Sequence, residues 1–139
     1  MEFTSKIAKL NTPNRNGRIF DDSLVRELNN AINEKRSYVM TAPINESLIL
    51  DMSKLFGTFD DVAVDNNGVV SVHVNTHMCE PTPELLHSYV APALCGKCHD
   101  DGSIQVERIL CLFLTNDPAF KESTILSPVI KDNESAGII

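Results

Sequence analysis

The run Val62-Ala63-Val64, Asp65-Asn66-Asn67-Gly68, Val69-Val70-Ser71-Val72-His73-Val74 constrains the fold more than any other part of the chain. Two valine-rich arms flank an acidic, asparagine-rich turn that ends in glycine, which is the pattern of a β-hairpin. A lone hairpin is marginal in water, so these arms require further strands and an apolar face to pack on. Ile104 to Leu114, IQVERILCLFL, is the most apolar stretch of the chain. The turn residues Asp100-Asp101-Gly102-Ser103 precede it, and Ala93 to His99 supplies the other arm of a second hairpin.

Around these hairpins the pattern alternates between strand and helix. Glu2 to Leu10 reads as a strand, and Asn11 to Arg18 is all turn chemistry. Asp21-Asp22-Ser23 opens a helix in which Leu24, Val25, Leu28 and Ile32 recur at helical spacing, with Glu27, Asn30, Glu34 and Lys35 on its wet side. Ser37 to Thr41 reads as a short strand. Asn45 to Phe56 fits either a short helix or a buried strand. Thr82-Pro83-Glu84 opens a second helix carrying Leu85, Leu86, Tyr89 and Val90 and ending near Pro92. From Thr115 onward apolar islands at Phe120, Ile125-Leu126 and Val129-Ile130 are separated by prolines and charges. The expectation is one α+β domain over residues 1–114, with a mixed or antiparallel sheet or small β-barrel and two helices. Residues 115–139 form an extended C-terminal arm.

Composition narrows the partners. The 12 Lys and Arg residues against 19 Asp and Glu give a net charge of -7. The basic residues form no block, so the electrostatic footprint of a nucleic-acid binder is missing. No apolar run reaches the length of a membrane span. The opening MEFTSKIAKL has no apolar core of a secretory signal, so the chain reads as one made in a cytoplasm. In that compartment Cys79, Cys95, Cys98 and Cys111 are expected as free thiols.

Cys95-Gly96-Lys97-Cys98-His99 carries the most chemistry per residue. As CxxCH it matches a c-type haem attachment site; the zinc-ligand candidates are His77, Cys79, Cys95, Cys98 and His99, with a His77-x-Cys79 pair and Cys95-x-x-Cys98 the best set. Cys95 is also a candidate nucleophile, with the charge of Lys97 beside it. The bland alternative is half-buried thiols on a strand. An extended backbone puts Cys95, Lys97 and His99 on one face and Gly96 and Cys98 on the other, so the thiols converge only if Gly96 breaks the strand. Asp60-Asp61 and Asp100-Asp101 read as turn residues, and His73 and His87 as structural. No cofactor is expected.

Residues 7–36, with the turn Asn14-Arg15-Asn16-Gly17-Arg18-Ile19-Phe20 at their centre, resemble the opening of tailed-phage prohead maturation proteases: a strand, an "N-x-NGR-I/Y" turn, then a helix. The resemblance implies a small β-barrel decorated by helices, with a His–Ser active centre. The family's histidine lies in a segment like "GELDHP"; the matching stretch here, Tyr38 to Pro43, keeps the proline and has no histidine. Its serine lies in "G-V-S-S-R-G" after the short helix. The stretch matched to it here, about Ala93 to Cys98, has no serine, with Cys95 or Gly96 nearest and Lys97 in place of the basic residue. A serine hydrolase without its base loses most of its catalytic advantage. The resemblance therefore implies a virion protein without the chemistry. Such a protein would be assembled in the host cytoplasm and bound to the capsid shell as an auxiliary or decoration protein. Its partners would be the major capsid protein, other head proteins or its own copies. The alternatives are an active cysteine-variant protease using Cys95 and a small zinc module using Cys79, Cys95 and Cys98.

Overall fold

The computed structural model describes residues 1–44, 49–77, 81–120 and 126–128. In chain order its elements are β1 (Glu2–Lys9), β2 (Ile19–Phe20), α1 (Asp22–Asn33), β3 (Tyr38–Met40), β4 (Leu55–Val64), β5 (Val69–Thr76), α2 (Pro83–Leu86), β6 (Tyr89–Cys98), β7 (Ser103–Thr115) and β8 (Ser127–Pro128). They make one α+β unit. The sheet runs β7-β3-β4-β5-β1-β8, with β6 along the other side of β7 and β2 beside the start of β7. It is mixed, because β2 and β3 run parallel to β7 while the hairpin pairings are antiparallel. The sheet curls into a half-barrel that brings β1 near β6.

Alternation along β5, and bulges in β4 and β7 that reset the alternation there, build the core. Phe56 and Phe59 of β4 and Val70, Val72 and Val74 of β5 point inward and are at most 1% exposed. Val106, Ile109 and Leu112 of β7 meet them, and Leu24, Leu28 and Ala31 of α1 close one side at 0% exposure. Fully burying such a side chain contributes about 1.5–3 kcal/mol. Of the ambiguous stretch, residues 45–48 lie outside the described residues. Met52–Lys54 is one 3-10 turn, and Leu55 and Phe56 belong to β4.

Two sequence expectations need correction. The helix expected to run from Pro83 towards Pro92 is a single turn ending at Leu86, and Tyr89, Val90 and Pro92 lie in β6. Proline disfavours helical geometry in the residue before it, and Ala91 instead joins the ladder opposite Phe113. Glu27, expected on the wet side of α1, is buried. It follows Ser23 by one turn on the flank that lies along β7, and its carboxylate accepts hydrogen bonds from Arg26 Nε (3.0 Å) and Asn30 Nδ2 (3.1 Å). The Arg26 bond, more than the Asn30 bond, holds this carboxyl below its usual range against the opposing effect of burial.

The described parts of the C-terminal arm pack on the domain. Phe120 and Leu126 are buried, Leu126 N–H donates to the Ser88 carbonyl (3.1 Å), and β8 pairs with Phe3 and Thr4 of β1.

Helix α1 also completes the sheet. On one edge of β7, β2 pairs at Ser103-Ile104 and β3 at Leu112-Phe113, leaving a gap between them. Side chains of α1 and of the loop that follows it fill that gap. Ser23 Oγ accepts from Val106 N–H (2.8 Å), Arg26 Nη2 donates to the Val106 carbonyl (3.2 Å), and Arg36 Nη1 donates to the Ile109 carbonyl (2.7 Å).

Candidate functional site

CGKCH lies at the end of β6, on the first arm of the second hairpin, as its spacing suggests. Cys95 faces Arg108 across the ladder and Cys98 faces Ile104. The register shifts nearby skip Glu107 and Leu110, so both bulges belong to β7 and β6 stays continuously extended. Residues three apart on such a strand point to opposite faces and lie about 10 Å apart. Two sulfurs on one zinc would be less than about 4 Å apart, since each bond is about 2.3 Å. Cys95 and Cys98 therefore do not converge on one ion or one haem while β6 is extended. Gly96 does not break the strand. A Cβ there would collide with the Gln105 carbonyl, so its small size serves the close approach of two strands at a bulge.

The other residues singled out are dispersed. Cys95 is half-buried and Cys98 exposed. Lys97 Nζ lies 3.8 Å from Glu107 Oε1. His99 starts the turn, its N–H donating to the Ser103 carbonyl (2.9 Å). Cys79 lies outside the described residues. Among those residues, neither Cys95 nor Cys98 belongs to a cluster of three potential metal ligands. Cys111 is fully buried, and burial pushes its thiol up to about 11.

The NRNGRIF turn braces the second hairpin. Asn14 Oδ1 accepts from the N–H groups of Asn16 (2.9 Å) and Arg18 (3.0 Å), which fixes the loop. Arg15 N–H donates to the Ala119 carbonyl (2.8 Å), and its guanidinium pairs with Asp117 (2.7 Å). Ile19 N–H donates to the Gly102 carbonyl (2.9 Å), and the Gly17 carbonyl sits where a side chain on Gly102 would be. Beside this loop a cleft of about 350 Å³ opens between β1 and β6. Phe20, Pro92, Leu94 and Phe113 form its apolar wall, with Arg18 and Asp117 at its rim.

The two segments matched to a protease active centre lie apart. Met40 and Ala91 are both level with Phe113 of β7, on opposite sides of it. Cys95 lies four residues further along β6, about 13 Å away. Because α2 is one turn long, the segment that directly follows it is Ser88 to Ala93, not Ala93 to Cys98. Ser88 precedes Tyr89, which is opposite Thr115, so it sits at the same end of β7 as Thr41 to Pro43. Its hydroxyl donates to the Glu84 carbonyl (3.1 Å), and the residue is 5% exposed.

A polar cluster on the outer face of the sheet was not legible as a site in the sequence. Asp60 and Asp61 belong to β4, not to a turn, at a register shift between Asp60 and Ala63. Asp61 takes φ 48°, which turns consecutive carboxylates towards the same neighbour. That neighbour is His73, directly opposite Asp60 on β5, with Nδ1 2.6 Å from Asp60 Oδ1 and Nε2 3.4 Å from Glu2 Oε1. Asn75 Nδ2 donates to Asp60 Oδ2 at 3.3 Å. Counting back from Val64 opposite Val70 would place Asp61 opposite His73; the extra residue between Asp60 and Ala63 moves Asp60 into that position, and that bulge leaves no trace in the sequence. No family model, curated protein or solved structure matches the chain.

Proposed function

We propose that this chain is a non-catalytic structural protein of a tailed-phage virion, bound to the capsid shell through the major capsid protein or other head proteins. One observation carries the reading. At the end of β7 where Thr41 to Pro43 and Ser88 lie on opposite sides of the strand, there is no histidine in the first segment, and the Ser88 hydroxyl is spent on a helix carbonyl. A nucleophile needs a base within hydrogen-bond reach, and this serine donates elsewhere. The resemblance in the strand, turn and helix at residues 7–36 supplies the phage context, and the net charge of -7 suits a soluble shell component.

The test is twofold. Mass spectrometry of purified particles should find the chain at fixed stoichiometry to the capsid protein. Incubation of the purified chain with capsid and scaffold proteins should leave both intact. Cleavage that disappears in Cys95→Ala or Ser88→Ala would replace this reading with a protease. Loss of stoichiometric zinc in Cys98→Ser would replace it with the zinc module.

A further inference from the structure

We propose that Asp60, Asp61 and His73 form a binding site for a first-row divalent cation, with Glu2 orienting the imidazole. This site is independent of the virion reading. A neutral imidazole has one N–H and one lone pair. Both ring nitrogens of His73 face carboxylates, Asp60 on one side and Glu2 on the other. One proton serves one carboxylate. The 2.6 Å contact between Nδ1 and Asp60 is a hydrogen bond, with Asp61 beside it. A cation that replaces this proton sends it to Nε2, which faces Glu2 at 3.4 Å, and leaves the Nδ1 lone pair as a ligand together with Asp60 and Asp61.

The geometry suits an ion. One ligand atom from each of Asp60, Asp61 and His73 lies within 4.8 Å of the other two. Ligands about 2.0–2.2 Å from a common metal lie roughly 3–3.6 Å apart unless trans, so side-chain adjustments of up to about 1.5 Å assemble the site. The 2.6 Å contact between Nδ1 and Asp60 opens by about half an ångström on binding. The Asp60 side chain is 44% exposed and has room to do so. A carboxylate behind a ligating imidazole fixes its tautomer and ring orientation, and Glu2 stands in that place. One imidazole and two carboxylates suit Mn²⁺, Co²⁺ or Zn²⁺ better than Mg²⁺, which retains its waters. Three protein ligands leave positions for water.

Mn²⁺ is the probe, because thiolates compete poorly for it and the cysteines drop out. Electron paramagnetic resonance of free Mn²⁺ should show one ion bound per chain, and bound Mn²⁺ should broaden the ring resonances of His73 and not those of His99. Asp61→Asn and His73→Gln should each weaken binding at least tenfold, with Cys98→Ser unchanged. Asparagine tolerates the positive φ at position 61, so Asp61→Asn keeps the fold even if His73→Gln does not. No binding at millimolar Mn²⁺ would mean the ring simply hydrogen-bonds to the carboxylates and would overturn the site. So would affinity unchanged in Asp61→Asn.

Discussion

Gly102→Ala should be among the more damaging single-methyl additions to this protein. Gly102 sits in the turn between β6 and β7 at φ 90°, where an L-side chain costs about 1–2 kcal/mol. The new methyl would also occupy the space of the Gly17 carbonyl, so the loop at 11–18 must move off the hairpin. That movement breaks the bond from Ile19 N–H to the Gly102 carbonyl, worth about 1 kcal/mol, and loosens the β2–β7 pairing. The sum is about 2–4 kcal/mol, or a fall in Tm of roughly 10 °C for a chain of this size. Gly17→Ala isolates the backbone contribution. Gly17 also has positive φ, 75°, but no atom lies within 4 Å of its added Cβ, so about 1 kcal/mol should be lost. Urea unfolding of both variants measures the difference. If the two lose the same stability to within about 0.5 kcal/mol, the packing of one turn on the other is not what Gly102 is for.

Phe59→Ala should cost about 3–5 kcal/mol in the same assay, because it empties a 1%-exposed position at the centre of the core. Glu27→Gln should cost about 1 kcal/mol at neutral pH by weakening the bond with Arg26. The Glu27 carboxyl titrates below its ordinary value of 4.5 in the folded chain, so its stabilisation is complete above that value and is lost as pH falls through the folded one. Unfolding curves of wild type and variant should therefore converge once pH falls below the lowered titration of the folded carboxyl. In native alkylation mapped by mass spectrometry, Cys98 should label before Cys95, and Cys111 only after unfolding, since the last is fully buried with its thiol raised to about 11.

The two hairpins and α1 were legible because each combines a periodic apolar pattern with a turn or cap of matching chemistry. Asp65 to Gly68 and Asp100 to Ser103 punctuate strands whose valines and isoleucines alternate, and Asp21 caps the helix by accepting from Ser23 N–H (2.8 Å). The short helix was overextended because Leu85, Leu86, Tyr89 and Val90 fit helical spacing, while the constraint from Pro92 and the ladder to β7 act over longer range. Glu27 misled for a related reason: a helix flank lying along a strand can bury a carboxylate if an arginine and an asparagine come with it. The parallel contacts of β2 and β3 with β7 join segments more than 70 residues apart, and no local pattern encodes them. The separation of Cys95 from Cys98 followed from strand alternation alone. The convergence of Asp60, Asp61 and His73 did not, because it depends on one extra residue in β4.

The gap in the β7 edge has a consequence for how the protein behaves in a crowded solution. Bare main-chain donors and acceptors along a strand invite any extended foreign segment to zip on. Here a serine hydroxyl and two guanidinium groups occupy that stretch, so an intruding strand would meet bulky charge where it needs open peptide groups. The helix thus guards the most apolar strand of the chain against self-adhesion.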